Sequence, residues 1–166
     1  MSVETLNTMN AKTASHSFRQ CCTSQAWIEN MVASRPYDSA QAVIEAADKN
    51  WLGLQEQDYL EAFDGHPKIG DVGSLKAKYS NTKELAAGEQ SLVEVATDDI
   101  IQALSDGNTA YQEKFGFIFI VCATGKSAAQ MLSLLNARLP NSRELELTNA
   151  AEEQRRIFQI RLEKLL

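Results

Sequence analysis

Apolar residues recur at three- and four-residue intervals along most of this chain, the spacing of one helix face. Ser24 stands where a cap belongs, before a face of Trp27, Ile28, Met31 and Val32. Arg35-Pro36-Tyr37 breaks that run. Ser39 opens the next, with Ala40, Val43, Ile44, Ala47 and Trp51 along one side. Residues 56–63 predict a short helix carrying Tyr59, Leu60 and Phe63, stopped by Asp64-Gly65, a C-terminal glycine signal. Residues 64–80 hold three glycines and read as a loop. Asn81 or Thr82 restarts a helix through Val95, and Thr97 caps another from Asp98 to Phe115, which Asp106-Gly107-Asn108 could interrupt. Ser127 to Leu139 is helical with Met131, Leu132, Leu134 and Leu135 inward. Pro140-Asn141 turns the chain into a long final helix, Ser142 to Leu166. Its inward stripe reads Leu147, Ala150, Gln154, Ile157, Arg161 and Leu165.

One stretch breaks the pattern. FGFIFIVCA (115–123) is aromatic and β-branched, the composition of a buried strand. With no second convincing strand to pair with, a lone strand is not stable. A buried helical or irregular segment is expected instead. The fold class is therefore all-α: one compact multi-helix domain over residues 1–166. Residues 1–11 are expected to be poorly ordered or a short helix.

Composition narrows the class. A hydrophobic content of 44% in 166 residues suits a globular domain rather than a disordered chain. No run of about 18 apolar residues predicts a membrane span. The N-terminus lacks the basic start and apolar block of a secretory signal. Net charge is −6, against the clustered Lys and Arg that a nucleic-acid surface needs. Cys21, Cys22 and Cys122 form no metal-type spacing, and the two histidines, His16 and His66, lie far apart. No recognisable metal site is expected, nothing points to a cofactor, and a reduced cytoplasmic protein is the simplest reading.

Four features carry candidate chemistry. ATGKS (123–127) has the look of a phosphate loop, but the required earlier glycine is Ile120, so a turn and a helix start are expected. His66 stands between Gly65, which permits unusual backbone angles, and Pro67, which restricts His66 to extended ones. A lone histidine is usually a surface or satisfied core residue. A titratable ring held stiffly after a helix end is also how a general acid or base is positioned. Glu89-Gln90 reads as a solvated helix face, except that Gly88 costs about 1 kcal/mol in a helix and hints at a close approach to the backbone. Arg161 falls on the apolar stripe of the last helix, where a guanidinium needs a carboxylate or a bound anion.

These stretches together resemble a known family. HPKIG (66–70), the pair Glu89-Gln90, YQEKFGFIFIVCA (111–123), the tail RLPNSRELELTNAAEEQRRIFQIRL (138–162) and CCTSQAWIENMVASRPY (21–37) are similar to OHCU decarboxylases. These act on 2-oxo-4-hydroxy-4-carboxy-5-ureidoimidazoline (OHCU) in urate breakdown. The resemblance covers roughly residues 12–162. It implies an all-helical, cofactor-free, dimeric enzyme that makes (S)-allantoin and carbon dioxide from a small ureidoimidazoline. It also implies functional coupling to the upstream 5-hydroxyisourate hydrolase.

By the same resemblance His66 matches the catalytic histidine, a proton donor, and Pro67 a substrate contact. Ala86, Ala87, Gly88, Glu89 and Gln90 match a substrate-binding segment, with Glu89 also in catalysis. Phe119, Ile120, Val121, Cys122 and Ala123 match a second binding segment, and Arg161 lies in the matching C-terminal helix. The chain departs from the family at Ala86, where members typically carry serine; that hydroxyl contact is lost or supplied elsewhere. The rival expectations are a non-catalytic helical dimerisation or adaptor module and a hydrolase of a related ureide. The second would need a metal set or a Ser or Cys nucleophile motif, which the sequence lacks.

Overall fold

The computed structural model describes residues 1–67, 72–77 and 97–166. Every regular element among them is a helix: α1 (Val3–Thr8), α2 (Ala11–Arg19), α3 (Gln25–Ala33), α4 (Ala40–Trp51), α5 (Glu56–Asp64), α6 (72–77), α7 (Asp98–Phe115), α8 (Ala128–Arg138) and α9 (Arg143–Leu165). Ala86 to Gln90, and the helix expected up to Val95, lie outside the described residues. None of the described helices is long and apolar enough to cross a membrane. The chain forms two compact units, Met1–His66 with Asn149–Leu166, and Pro67–Thr148.

The helix starts follow local chemistry. Ser24, Ser39, Thr97 and Ser127 each accept the backbone N–H three residues on, from Trp27, Ala42, Ile100 and Gln130. Each such cap stabilises its helix by about 1 kcal/mol, because the first turn's amides have no partner inside the helix.

In the first unit the core is aromatic. The Trp27 ring stacks on Phe158 at 5.1 Å, and Phe18 and Trp51 meet these rings edge-on. The indole N–H groups are not left dry: Trp27 Nε1 donates to Ala47 O at 3.1 Å and Trp51 Nε1 to Ala151 O at 3.0 Å. The N-terminal residues join this core. Leu6 is fully buried, Arg35 Nη1 donates to Leu6 O and Met9 O, and Asn7 makes a two-way amide pair with Tyr37.

In the second unit α7 packs on α8. Asp106-Gly107-Asn108 does not interrupt α7, which runs unbroken to Gly116. A Cβ at Gly107 would lie 2.5 Å from Leu135 Cδ2, so the glycine serves the close approach of α8. Residues 116–127 have no regular structure, yet Phe117, Phe119, Ile120 and Cys122 are buried. Of the two forms expected of FGFIFIVCA, buried helical or buried irregular, it takes the irregular one.

Two expectations are corrected. Within the expected loop of residues 64–80, residues 72–77 are helical, seated by the buried Leu75. On α9 the buried stripe is Glu146, Ala150, Gln154, Phe158 and Leu162, offset from the expected one. Arg161 is exposed, on the flank of the stripe. Ala150 and Gln154 belong to both stripes; the offset shows at Glu146, which is buried in place of Leu147 because Arg138, Tyr111 and Asn141 donate to it.

Candidate active site

His66 is mounted at the end of α5 by contacts from the α2–α3 junction. Thr23 Oγ1 donates to the carbonyls of Glu61 and Ala62 at 3.1 and 3.4 Å, taking up acceptors that the helix end leaves free. Glu61 in turn accepts from Gln25 N at 3.1 Å. Gly65 has ordinary right-handed angles, φ −72° and ψ −10°, so its role is not the conformational freedom that the sequence implied. A Cβ there would sit inside Thr23, 2.6 Å from its Cγ2. Glycine is required by the tight seat of Thr23 on the helix end. His66 N then donates to Phe63 O at 3.1 Å, closing the last turn before Pro67.

The ring of His66 meets α9. Its Nε2 lies 2.5 Å from Gln154 Oε1. An amide oxygen only accepts, so Nε2 carries the hydrogen. The ring is half-buried, and its pKa is lowered from the ordinary value of 6.5. Burial is the largest cause; the Gln154 bond works against it, and the Arg161 cation adds to it. His66 is therefore neutral at pH 7. Gln154 is fully buried, and among the described residues its Nε2 has no partner. A buried donor left unmatched costs about 1–3 kcal/mol. Sequence reasoning put Gln154 on the inward stripe without a role; a polar residue between Ala150 and Phe158 was the available signal.

Arg161 donates from Nη1 to Cys21 O at 3.2 Å. Its charge lowers the pKa of His66, Cys21 and Cys22 alike, so it belongs to the electrostatic surroundings of the ring. Burial outweighs it at the thiols, pushing Cys21 up to about 11 and Cys22 to about 12. These thiols are protonated at neutral pH and are poor nucleophiles.

The segment Phe119 to Ala123 is held within the second unit by a buried charged network. Arg138 Nε donates to both oxygens of Glu146, at 3.0 and 2.8 Å, and its Nη1 donates to Ile120 O at 2.7 Å. Tyr111 and Asn141 also donate to Glu146. The Arg138 guanidinium lies over the Phe119 ring, 4.7 Å from its centre. Lys126 Nζ donates to Cys122 O at 2.7 Å, and Gly125 takes φ +74° in the turn before Ser127. ATGKS is thus a turn and a helix cap, with its lysine tied to its own backbone. Arg138, Glu146 and Tyr111 escaped the sequence reading, since a charged residue on an amphipathic helix reads as solvated until its partner is known.

A neutral imidazole with one nitrogen bonded to a buried amide is able to exchange a proton at the other. The chain belongs to the OHCU decarboxylase family, whose model matches residues 7–163. It is similar to the uric acid degradation bifunctional protein TTL of Arabidopsis thaliana, 34% identical over 89% of this chain. It is also similar to 2-oxo-4-hydroxy-4-carboxy-5-ureidoimidazoline decarboxylase of Halalkalicoccus jeotgali, 27% identical over 84% of this chain and 77% of that one. The chain spans 46% of the Arabidopsis protein and 32% of the bifunctional relative from Bacillus subtilis. A crystal structure of OHCU decarboxylase in the presence of (S)-allantoin superposes with a TM-score of 0.73, at 32% identity, over 95% of this chain and 98% of that one. A structure of (S)-allantoin synthase, 20% identical, shares the fold, with a TM-score of 0.72 over all of this chain and 54% of that one.

Proposed function

We propose that this chain decarboxylates OHCU to (S)-allantoin and carbon dioxide in urate degradation, with His66 as the proton-transfer group. The family match along nearly the whole chain carries the reading. The chemistry suits a protein that supplies side chains alone. The departing carboxylate of OHCU is attached next to a ring carbon double-bonded to nitrogen. The electron pair of the broken bond moves into the ring, and that nitrogen takes a proton from solvent. The product of this step is an enol.

A neutral His66 gives this enol a route onward. It takes the enol hydroxyl proton and returns it to one face of the carbon bearing the ureido group, which fixes the S configuration. A lowered pKa supports this order, because a ring that is neutral at rest must accept a proton before it can donate one. Pro67, Ala86, Ala87, Gly88, Gln90, Phe119, Ile120, Val121, Cys122, Ala123 and Arg161 are proposed substrate contacts, and Glu89 a second catalytic group. The protein is proposed to be cytoplasmic and homodimeric. Coupling to a 5-hydroxyisourate hydrolase is supported by relatives named as bifunctional in uric acid degradation.

The test is chiral. OHCU made in place from urate should yield optically active allantoin when the wild-type chain is added. His66→Asn should lower kcat by about 10²–10⁴-fold, the range of a positioned acid–base group. Racemic product with wild type at the uncatalysed rate would reject the activity. Full turnover by the variant would reject the role of His66.

A further inference from the structure

We propose that Gln154 is the positioning residue of this site: its amide oxygen holds His66 as the Nε2–H tautomer, leaving Nδ1 as the nitrogen that exchanges the proton with substrate. The proposal rests on the decarboxylase reading for its chemistry, but the tautomer stands on geometry. Gln154 Oε1 is 2.5 Å from His66 Nε2, and an amide oxygen has no hydrogen to give. The bond that one ring nitrogen makes decides which form of a neutral imidazole is present. Among the described residues no hydrogen bond to Nδ1 is found.

Gln154 is a costly residue for its place. It is fully buried on the stripe between Ala150 and Phe158. Its Nε2 has no acceptor among the described residues. A leucine or methionine of similar length would leave no buried donor unmatched, so packing alone does not select glutamine. The mounting of His66 is complete only with this amide. Thr23 and Phe63 fix the backbone at the end of α5, and Gln154 fixes the ring from α9.

An amide also differs from a carboxylate in the charge it leaves on the ring. Among the described residues the charge that acts on His66 is that of Arg161 of α9, a cation; Glu61 of α5 is turned to Gln25 N. A carboxylate at position 154 would hold the ring as imidazolium. Glutamine gives direction to the ring and leaves it neutral.

Two measurements on the full-length protein test this. The chain has only two histidines, so long-range proton–nitrogen correlation spectra of uniformly labelled protein resolve His66, assigned by its loss in His66→Asn. At a pH where the ring is neutral, the expected spectrum shows a bare Nδ1 and a protonated Nε2. A protonated Nδ1, or a tautomer mixture like that of a free imidazole, overturns the proposal without any change at Gln154.

Gln154→Leu should then lower kcat by about 10–100-fold, the range contributed by groups that orient metal-bound histidines, with KM changed little. Its His66 nitrogen shifts should move toward a mixture. Gln154→Glu should move the acid limb of the pH–rate profile to higher pH. Variants that fold as wild type, judged by circular dichroism, and leave kcat, the pH profile and the ring shifts unchanged overturn the positioning role. If wild type makes no optically active allantoin, the decarboxylase reading fails, while the spectrum still decides the tautomer.

Discussion

Glu146 and Gln154 are both fully buried on α9, in different units of the chain. Glu146 accepts from Arg138, Tyr111 and Asn141, so both of its oxygens are matched. Gln154 has one partner, His66, and an amide nitrogen with none among the described residues. A satisfied buried charge belongs to architecture: through Arg138 it fastens Ile120 O and braces the irregular segment. A half-satisfied amide is poor architecture, and its one bond goes to the only histidine in the candidate site. On the proposed function, the difference between the two separates holding a fold from aiming the ring of His66.

The sharpest way to break the comparison is to strand the charge. Arg138→Met leaves the Glu146 carboxylate buried without its main partner, and should destabilise the protein by about 3–5 kcal/mol in urea unfolding. Adding Glu146→Leu should recover much of that loss, since two apolar side chains replace a pair rather than orphan one member. Little loss in the single variant would mean that Glu146 is reached by water. Gln154→Leu should behave oppositely, with stability nearly unchanged and activity reduced.

A smaller effect separates two glycines. Gly65→Ala drives a methyl into Thr23, a short side chain held by two carbonyls, and should cost about 1–3 kcal/mol. Gly107→Ala meets Leu135 at Cδ2 and Cγ but gains about 1 kcal/mol of helix propensity against that clash, so it should cost less than Gly65→Ala in thermal melts. Equal losses would contradict the view that Gly65 is there for the mounting of His66.

The smallest effect is in pH. The His66 pKa is depressed in the folded state, so the unfolded chain binds more protons in the window just below 6.5. Stability should therefore rise with pH through that window and be lost as pH falls. His66→Asn should lack this contribution. Denaturation midpoints of the two proteins at about pH 5.5 and about pH 7.5 measure it, and a gap that does not change with pH would place the ring in open water.

The sequence was legible where its signals are local. Ser24, Ser39, Thr97 and Ser127 cap the helices expected of them, since a cap bonds within three residues of itself. That FGFIFIVCA is buried without being a strand was readable from the lack of a partner strand; whether it was helical or irregular was not. The α9 stripe was misread, because the burial of Glu146 depends on Arg138 and Tyr111, far away in the chain. Arg161 was assigned to the apolar face by that same shift. Gly65 carried the right importance and the wrong reason: its sequence neighbours cannot reveal that Thr23 presses on it. The helix at 72–77 was missed since it buries little besides Leu75. The family resemblance was readable from clustered motifs, whereas the pinning of His66 by Gln154 required the fold.

The two thiols beside the mounting have a practical consequence. Cys21 and Cys22 are sealed in the first unit, immediately before Thr23 in sequence, with their thiolate forms suppressed by burial. An alkylating reagent reaches them only when that junction opens. The speed of their labelling is thus a clock on the same opening that would let His66 wander, readable in a mass spectrum without substrate or turnover.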